Sequence, residues 1–504
     1  MKNITVVGGG ACGCAVFIEL VIQILAEELQ EKVSLTLIEK DKKIGYGLAF
    51  GTQQKSHLLN TQADLMGIFG EEPEHFANWL KEKRKNFEAY RTSSEAEETY
   101  TSRLLYGDYV AEQLSIFKEK AIQGGIQVNF LEGEVVNVEK NKTEALTLSF
   151  ANQEQITSDY VVLALGTPKP NTFKDCEQYK EFINFPWPVE NLKQKITPED
   201  TVGVLGTSLS AIDTVLTLID QNHKGKIKLI SPEGLLPRVQ PLQNNEIDRK
   251  FITLSNIHQL KRDETRKPKV KELFKLFMQE VEALEGFSLD WNALERDDRS
   301  AEELLEIDIY AAENNGDSLL NLAYALRHDA STIWSWLSTE QKKHFGDWIG
   351  KYWQINRHAM PLHNAYKLKK LMENDQLEVI GGYQEANYIE NSGFEIKLEK
   401  AESFKVDKLV NATGTPSSVE SMENALIQNL LKRETIIPHE IGGIYIDERT
   451  MRVVTPQQDL PLYALGHINN GMLLDVNSVW FNVKTSMIAA KDILFKIQMN
   501  ERIS

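Results

Sequence analysis

The stretch Ile4-Thr5-Val6-Val7-Gly8-Gly9-Gly10-Ala11-Cys12-Gly13 decides the fold. Ile4 to Val7 is a short β-branched run, as expected of a strand buried on both faces. Val16, Phe17, Leu20, Val21, Ile24 and Leu25 then recur at helical spacing. Between strand and helix lies Gly8-x-Gly10-x-x-Gly13, a pattern that is informative only in that context. Gly8 permits the sharp turn, Gly10 lets a pyrophosphate approach the backbone, and Gly13 lets the helix pack close to the strand. Free amides and the positive end of the helix dipole, around Ala11 and Cys12, then face the phosphates. A second strand, Val33 to Ile38, ends on Glu39 and Lys40. An acid there accepts hydrogen bonds from a ribose 2′-OH and repels a 2′-phosphate, so the unit suits FAD or NAD and disfavours NADP.

Working outward, a second strand-glycine-helix unit begins at Thr201-Val202-Gly203-Val204-Leu205-Gly206, with its returning strand at Ile227 to Ile230. Its turn reads Gly206-Thr207-Ser208-Leu209-Ser210-Ala211. Ser208 stands where the middle glycine is expected, and Ala211, an accepted substitute, stands at the last. Ile230 is followed by Ser231-Pro232-Glu233, and the first cation is Arg238. The usual mark of NADPH selectivity is therefore missing, and NADPH and NADH both remain open. A Rossmann unit without cofactor is the plain alternative.

The strand Val161-Val162-Leu163-Ala164-Leu165 with Gly166-Thr167-Pro168 is echoed by Leu409-Val410-Asn411-Ala412 with Thr413-Gly414-Thr415-Pro416. Both deliver the chain to a tight crossing beside a bound dinucleotide. The strand ends at Leu163 and Ala412, with Leu462 to Gly466, are expected to complete one pocket around FAD. Gly466-His467 and Asn469-Asn470-Gly471 stand at the expected flavin end, where a helix N-terminus stabilises charge developing at N1 and C2=O. From about 245 to 370 the pattern is helical and holds Trp334, Trp336, Trp348 and Trp353, expected as the core of an insertion. The charged run from Lys81 to Glu98 reads as an exposed excursion.

The chain has 504 residues, enough for two or three domains. Its formal charge of −17 argues against nucleic-acid and membrane partners, both polyanions. Three cysteines, Cys12, Cys14 and Cys176, build neither a disulfide framework nor a metal quartet, and fit a reducing cytoplasm. Packing of small residues explains Cys12 and Cys14 better than thiol-disulfide chemistry. The first residues lack a signal peptide's basic region and cleavage site, and no apolar run is long enough to span a bilayer.

With these motifs placed, the chain resembles a bacterial FAD/NAD(P)-binding protein family of two-dinucleotide-binding-domain flavoproteins, related to flavin-dependent N-hydroxylating monooxygenases. Further blocks carry the resemblance: His57-Leu58-Leu59-Asn60-Thr61-Gln62-Ala63 with Met66, His75-Phe76-x-x-Trp79-Leu80, and Arg103-x-x-Tyr106-Gly107-x-Tyr109. Gly234-Leu235-Leu236-Pro237-Arg238, Tyr352-Trp353 and Arg357-His358-Ala359-Met360-Pro361 match later blocks. The resemblance implies an α/β chain with two Rossmann-like domains, a glutathione-reductase-like FAD/NAD(P) fold, and a helical insertion. The expected division is a discontinuous FAD-binding domain, 1–190 plus 372–504, an NAD(P)-binding core, 195–245, and an insertion, 246–371, capping the active site.

Asn60 and Thr61 follow an apolar segment expected to run past the flavin, where an amide can meet N5 or a nicotinamide; a satisfied loop asparagine is the alternative. Arg103, Tyr106 and Tyr109 are candidates for flavin or adenine contact, or only a packed turn. Arg357 is a candidate clamp for a substrate carboxylate, or a cation at a helix end. The expected function is FAD-dependent oxygenation of a small amine or amino-acid-like substrate, using NAD(P)H, molecular oxygen and a peroxyflavin. An acceptor oxidoreductase or amine oxidase, and an FAD-bound scaffold or redox sensor, are the other readings.

Overall fold

A computed structural model describes the chain except residues 87–98, 143, 242–246, 262–265, 290, 292–293, 295, 297, 457–458 and 504, and the side chains of 500–503. The expected excursion at 81–98 is helical through the end of His75–Asn86, and its remainder lies outside the described residues. Two compact units form: 1–55, 61–169 and 415–504 make the first, and 56–60 with 170–414 make the second.

The first unit is built on a sheet ordered Ile446–Asp447, Arg452–Val453, Leu462–Ala464, Tyr160–Leu163, Lys2–Val7, Val33–Glu39, Gln127–Glu132, of which the last five strands run parallel. Ile4, Val6, Leu35, Leu37 and Val161 to Leu163 are fully buried, because helices cover both faces of a parallel sheet and leave no polar alternation. The Ala11–Ala26 helix packs along the C-terminal helix Val479–Ile503. That double cover explains why Phe17, Leu20, Val21 and Ile24 are all buried.

The second unit repeats the plan. Its sheet is ordered Leu377–Ile380, Ile227–Ile230, Val202–Leu205, Lys408–Asn411, Phe182–Ile183, parallel throughout. In each unit a three-stranded antiparallel sheet leads into the strand beside the opening one. Val135–Lys140, Leu146–Phe150 and Gln155–Ser158 do so before Tyr160–Leu163. Tyr383–Ile389, Gly393–Leu398 and Phe404–Val406 do so before Lys408–Asn411. The slot after the second strand holds the helices Gly47–Phe50, His75–Asn86 and Arg103–Gln123 in the first unit. In the second it holds the long helical segment from Leu254–Leu260 to Leu362–Glu373.

This duplication corrects two expectations. The boundaries at 190 and 372 become 169 and 415, because the strands Phe182–Ile183, Leu377–Ile380 and Lys408–Asn411 pair in the second sheet. Ala412, expected beside FAD, therefore belongs to the second unit. The chain leaves the main sheet after Glu132 and enters an antiparallel one at Val135. Within the insertion, Ile252, Ile257, Val281, Leu319, Leu322 and Leu326 form a core that Trp291 and Trp336 pack against. Trp334 is buried, whereas Trp348 lies at the surface, so the tryptophans are only in part the insertion's core.

Candidate functional site: two nucleotide cradles

In the first cradle Gly8 has φ +107°, and a Cβ on it would stand 2.1 Å from the Ala164 carbonyl oxygen. The crossing strand thus runs hard against the turn, held by Ala164 N donating to Val7 O at 2.8 Å. A Cβ on Gly13 would fall 1.8 Å from Gly8 O. Glycine is required at both places. Gly10 differs: its torsions are ordinary, φ −75° and ψ −174°, and a Cβ would meet only the Gly47 Cα at 3.6 Å. What glycine preserves there is open space over the helix N-terminus. The first turn of that helix carries no acidic side chain, so its free amides and dipole are left for phosphate.

Glu39 is placed as its position in the sequence implies. Its carboxylate accepts from Gly9 N at 2.6 Å, and from Lys40 N and Asp41 N at 2.8 and 3.1 Å. It braces the turn from the end of the second strand. Gly166, φ +72°, opens onto free space, and a Cβ on Gly466 would lie 3.8 Å from Cys12 Sγ. Gly8 to Gly13, Glu39, Gly166 and Gly466 therefore converge. This space, bounded by positions where only glycine fits, suits an extended adenine dinucleotide.

The side chain of His467 is turned elsewhere. Its Nε2 donates to Pro416 O at 3.1 Å, its Nδ1 lies 3.0 Å from Asn477 Oδ1, and the ring is buried. The expected cofactor contact by this imidazole is corrected to a brace of the 415–417 segment. Burial pushes the Cys12 thiol up to about 12, and the Cys14 thiol, beside Glu39, further still. Neither is a thiolate near neutral pH, which removes thiol-disulfide exchange.

Arg103 opens the Arg103–Gln123 helix and is half-buried. Tyr106 and Tyr109 take the packed alternative. Both are fully buried against Phe76, and the Tyr109 hydroxyl accepts from Ile68 N at 3.1 Å and meets His75 Nδ1 at 2.9 Å. Gly107 is glycine because a Cβ would stand 2.4 Å from the Tyr46 ring.

The second cradle copies the first. Gly206 has φ +112°, with a Cβ 2.6 Å from Ala412 O, and Ala412 N donates to Leu205 O at 2.9 Å. Thr413 and Gly414, expected beside a dinucleotide, belong here. Gly414, φ +91°, opens onto free space as Gly166 does. Asn411, fully buried, ties the crossing by accepting from Thr413 Oγ1 at 2.7 Å and donating to Asn184 Oδ1 at 3.1 Å. Ser208 has φ −89° and ψ −167°, nearly the torsions of Gly10, and its hydroxyl does not cap its own helix. The serine is exposed in an otherwise unaltered turn, with its hydroxyl not used as a cap. Ala211 is fully buried, so this helix stands far enough from its strand to admit a methyl.

Asn60 lies in the second unit and Thr61 in the first. Ser56 donates to Asp220, and His57 Nε2 lies 2.8 Å from Thr217 Oγ1, so the segment leading to Asn60 is pinned to the Leu209–Asp220 helix. Sequence reading missed Gln240. Its amide donates to Asn60 O at 2.8 Å and Ala359 O at 2.7 Å, joining the two candidate catalytic regions at Asn60 and Arg357. The only signal for it was its place two residues after the Gly234–Arg238 block. Tyr324 was also missed; its hydroxyl is buried near the Gln240 amide, and the Arg327 guanidinium sits 4.8 Å from its ring centroid. Burial pushes its phenol up to about 12 against the pull of Arg327 and Arg357.

Beside Arg357, burial and that guanidinium hold the His358 imidazole down at about 4. The unfolded chain takes up this proton below about pH 6.5, and the folded chain only near 4. Stability is therefore expected to be intact above pH 6.5 and to fall as pH drops toward 4. Denaturation midpoints across that range should show a shallower slope for His358→Gln; an unchanged slope would refute the assignment.

The two cradles define the fold class: two dinucleotide-binding units of Rossmann type. Residues 5–168 match the model of the FAD-NAD(P)-binding family, NAD_binding_9. The YdhS protein of Escherichia coli (strain K12) is 20% identical over 460 residues, covering 82% of this chain and 83% of its own. Among solved structures, L-lysine 6-monooxygenase from Pseudomonas syringae aligns with TM-score 0.60 at 12% identity, covering 98% of this chain and 99% of its own. The ornithine N-hydroxylase KtzI of Kutzneria sp. 744, solved with reduced FAD, NADP+ and L-ornithine, aligns with TM-score 0.59 at 14% identity and the same coverage. At such identities the likeness is one of fold. No helix among the described residues is long and apolar enough to cross a membrane.

Proposed function

We propose that this chain is an NAD(P)H-dependent flavin monooxygenase acting on a small amine or amino-acid-like substrate, with molecular oxygen as co-substrate. The observation that carries the reading is the second cradle. A structural Rossmann unit has no need to repeat the positive-φ turn, the crossing strand and the open helix N-terminus of the first. The likeness in fold to amine-hydroxylating enzymes supports the substrate class. In the first cradle the amides of Gly10, Ala11, Cys12 and Gly13 hold pyrophosphate, Glu39 and the adjacent Lys40 receive the adenosine ribose, and Gly166, Gly466 and Thr61 line the remaining path. Arg103 is a further candidate contact. In the second, Gly206, Ser208 and the helix opening toward Ala211 hold the pyridine dinucleotide, with Thr413 and Gly414 alongside.

FAD, when bound, supplies hydride acceptance and oxygen activation. The chain's own work is to bind, orient and exclude water. Asn60 and Arg357 are the residues we assign to substrate, Arg357 as a fork for a carboxylate and Asn60 as a neutral amide. Gln240 sets their spacing by bonding the backbone of one and the near neighbour of the other. Three free cysteines suit a reducing cytoplasm, and the charge of −17 disfavours nucleic acid and anionic membrane as partners.

Anaerobic titration of the FAD-loaded protein with NADH and with NADPH is expected to bleach the flavin's visible band with at least one of them. Bleaching by neither would overturn the reading in favour of a scaffold. In air, an amine substrate should speed nucleotide oxidation while lowering peroxide release; stoichiometric peroxide at all substrate levels would favour an oxidase instead.

A further inference from the structure

The duplicated cradles allow the two ribose-reading positions to be placed in one frame. Gly8 N donates to Ile38 O at 2.8 Å, and Gly206 N to Ile230 O at 2.7 Å. Ile38 and Ile230 are therefore equivalent, and so are Glu39 and Ser231, one residue on. In the first cradle the Glu39 carboxylate accepts from Gly9 N at 2.6 Å, and an acid at that strand end is the usual acceptor for a ribose 2′-OH. In the second, the Ser231 hydroxyl is already engaged, accepting from Gly234 N at 2.9 Å and lying 3.3 Å from Thr207 Oγ1. Pro232 has no N–H to offer. The next group is the exposed Glu233 carboxylate.

A 2′-phosphate brings up to two negative charges and needs a cation, for which an arginine fork is the usual answer. Arg238, the first cation after the strand, is not presented to this loop. Its side chain is 3% exposed and ion-paired to Asp317. Lys351, in contact with the loop, lies 3.9 Å from Glu233 itself. The loop after the second strand of this cradle thus offers a carboxylate and an exposed lysine that faces it at 3.9 Å.

We infer that the second cradle selects NADH over NADPH, with Glu233 as the specificity-determining group. The carboxylate accepts from an unmodified ribose and repels a 2′-phosphate. This rests on the reading that the Gly206 turn holds a pyridine nucleotide, and it goes beyond that reading in naming which one.

The test is calorimetric titration of the full-length, FAD-loaded protein with NAD+ and with NADP+, oxidised forms that bind without turnover. NAD+ is expected to bind roughly tenfold or more tightly, the scale of one unpaired like-charge contact. Glu233→Gln, an exposed substitution that should leave FAD content unchanged, is expected to raise NADP+ affinity several-fold and narrow the ratio by freeing Lys351. Equal affinities, tighter NADP+, or an unchanged ratio in the variant would overturn the inference. Binding of neither nucleotide would instead overturn the functional reading beneath it.

Discussion

Gly13→Ala is expected to yield protein that loses its flavin and much of its stability together. The added methyl would stand 1.8 Å from Gly8 O and 2.9 Å from Gly8 C, and backbone cannot swing aside as a side chain can. Overpacking in a core typically costs about 1–3 kcal/mol. Here the Ala11–Ala26 helix must itself retreat from the strand, so the cost belongs at or above that range. Gly10→Ala is the informative contrast. Its torsions suit alanine and its Cβ would find 3.6 Å of clearance, so the fold should survive while FAD affinity falls because the methyl stands in the path of the pyrophosphate. Flavin-to-protein absorbance after gel filtration, with thermal denaturation of each variant, separates the two outcomes. A Gly13→Ala protein with unaltered flavin content and melting temperature would refute the geometry of the turn.

Arg296→Met is expected to destabilise the second unit by about 3–5 kcal/mol, because it strands a buried carboxylate. Arg296 Nη2 donates to both oxygens of Asp308 at 2.9 and 2.8 Å, and the two side chains are 3% and 6% exposed. Burial pushes the Asp308 carboxyl up and the Arg296 guanidinium down, each opposed by its partner. Desolvation thus offsets much of the pair's attraction, and removing both charges should cost far less than removing one. The double variant Arg296→Met with Asp308→Leu is therefore expected to recover most of the loss. Urea denaturation reads this, followed by tryptophan fluorescence for the second unit and by flavin release for the first, since two units need not unfold as one. A single variant costing under about 1 kcal/mol would show the pair to be solvated after all.

The first cradle was legible because its determinants are local. A strand, a glycine turn and a helix within thirteen residues, and an acid at the end of the next strand, each act on the backbone beside them. The echo between Gly166-Thr167-Pro168 and Gly414-Thr415-Pro416 was legible for the same reason, as was the serine in the second turn. Which sheet each strand joined was not. Leu409 to Ala412 read as a strand from its apolar run, but a run says nothing about which edge it pairs with, and that error moved the domain boundary.

Side-chain partners far apart in sequence were equally hidden. Arg238 read only as the first cation after the second strand, and its partner Asp317 lies 79 residues on. His467 read as a flavin-side group until Pro416 and Asn477 claimed its two nitrogens. Gln240 carried no motif at all. By itself, then, the sequence determined that two dinucleotide turns exist and that an acid closes the strand after the first. The turns follow from backbone torsion and the absence of a Cβ at named positions. The tertiary structure alone decided that the turns are copies of one cradle, that Arg238 is committed to Asp317, and that Glu233 is exposed beside Lys351. Pairing between distant segments depends on which surfaces are buried together, and no local pattern records that.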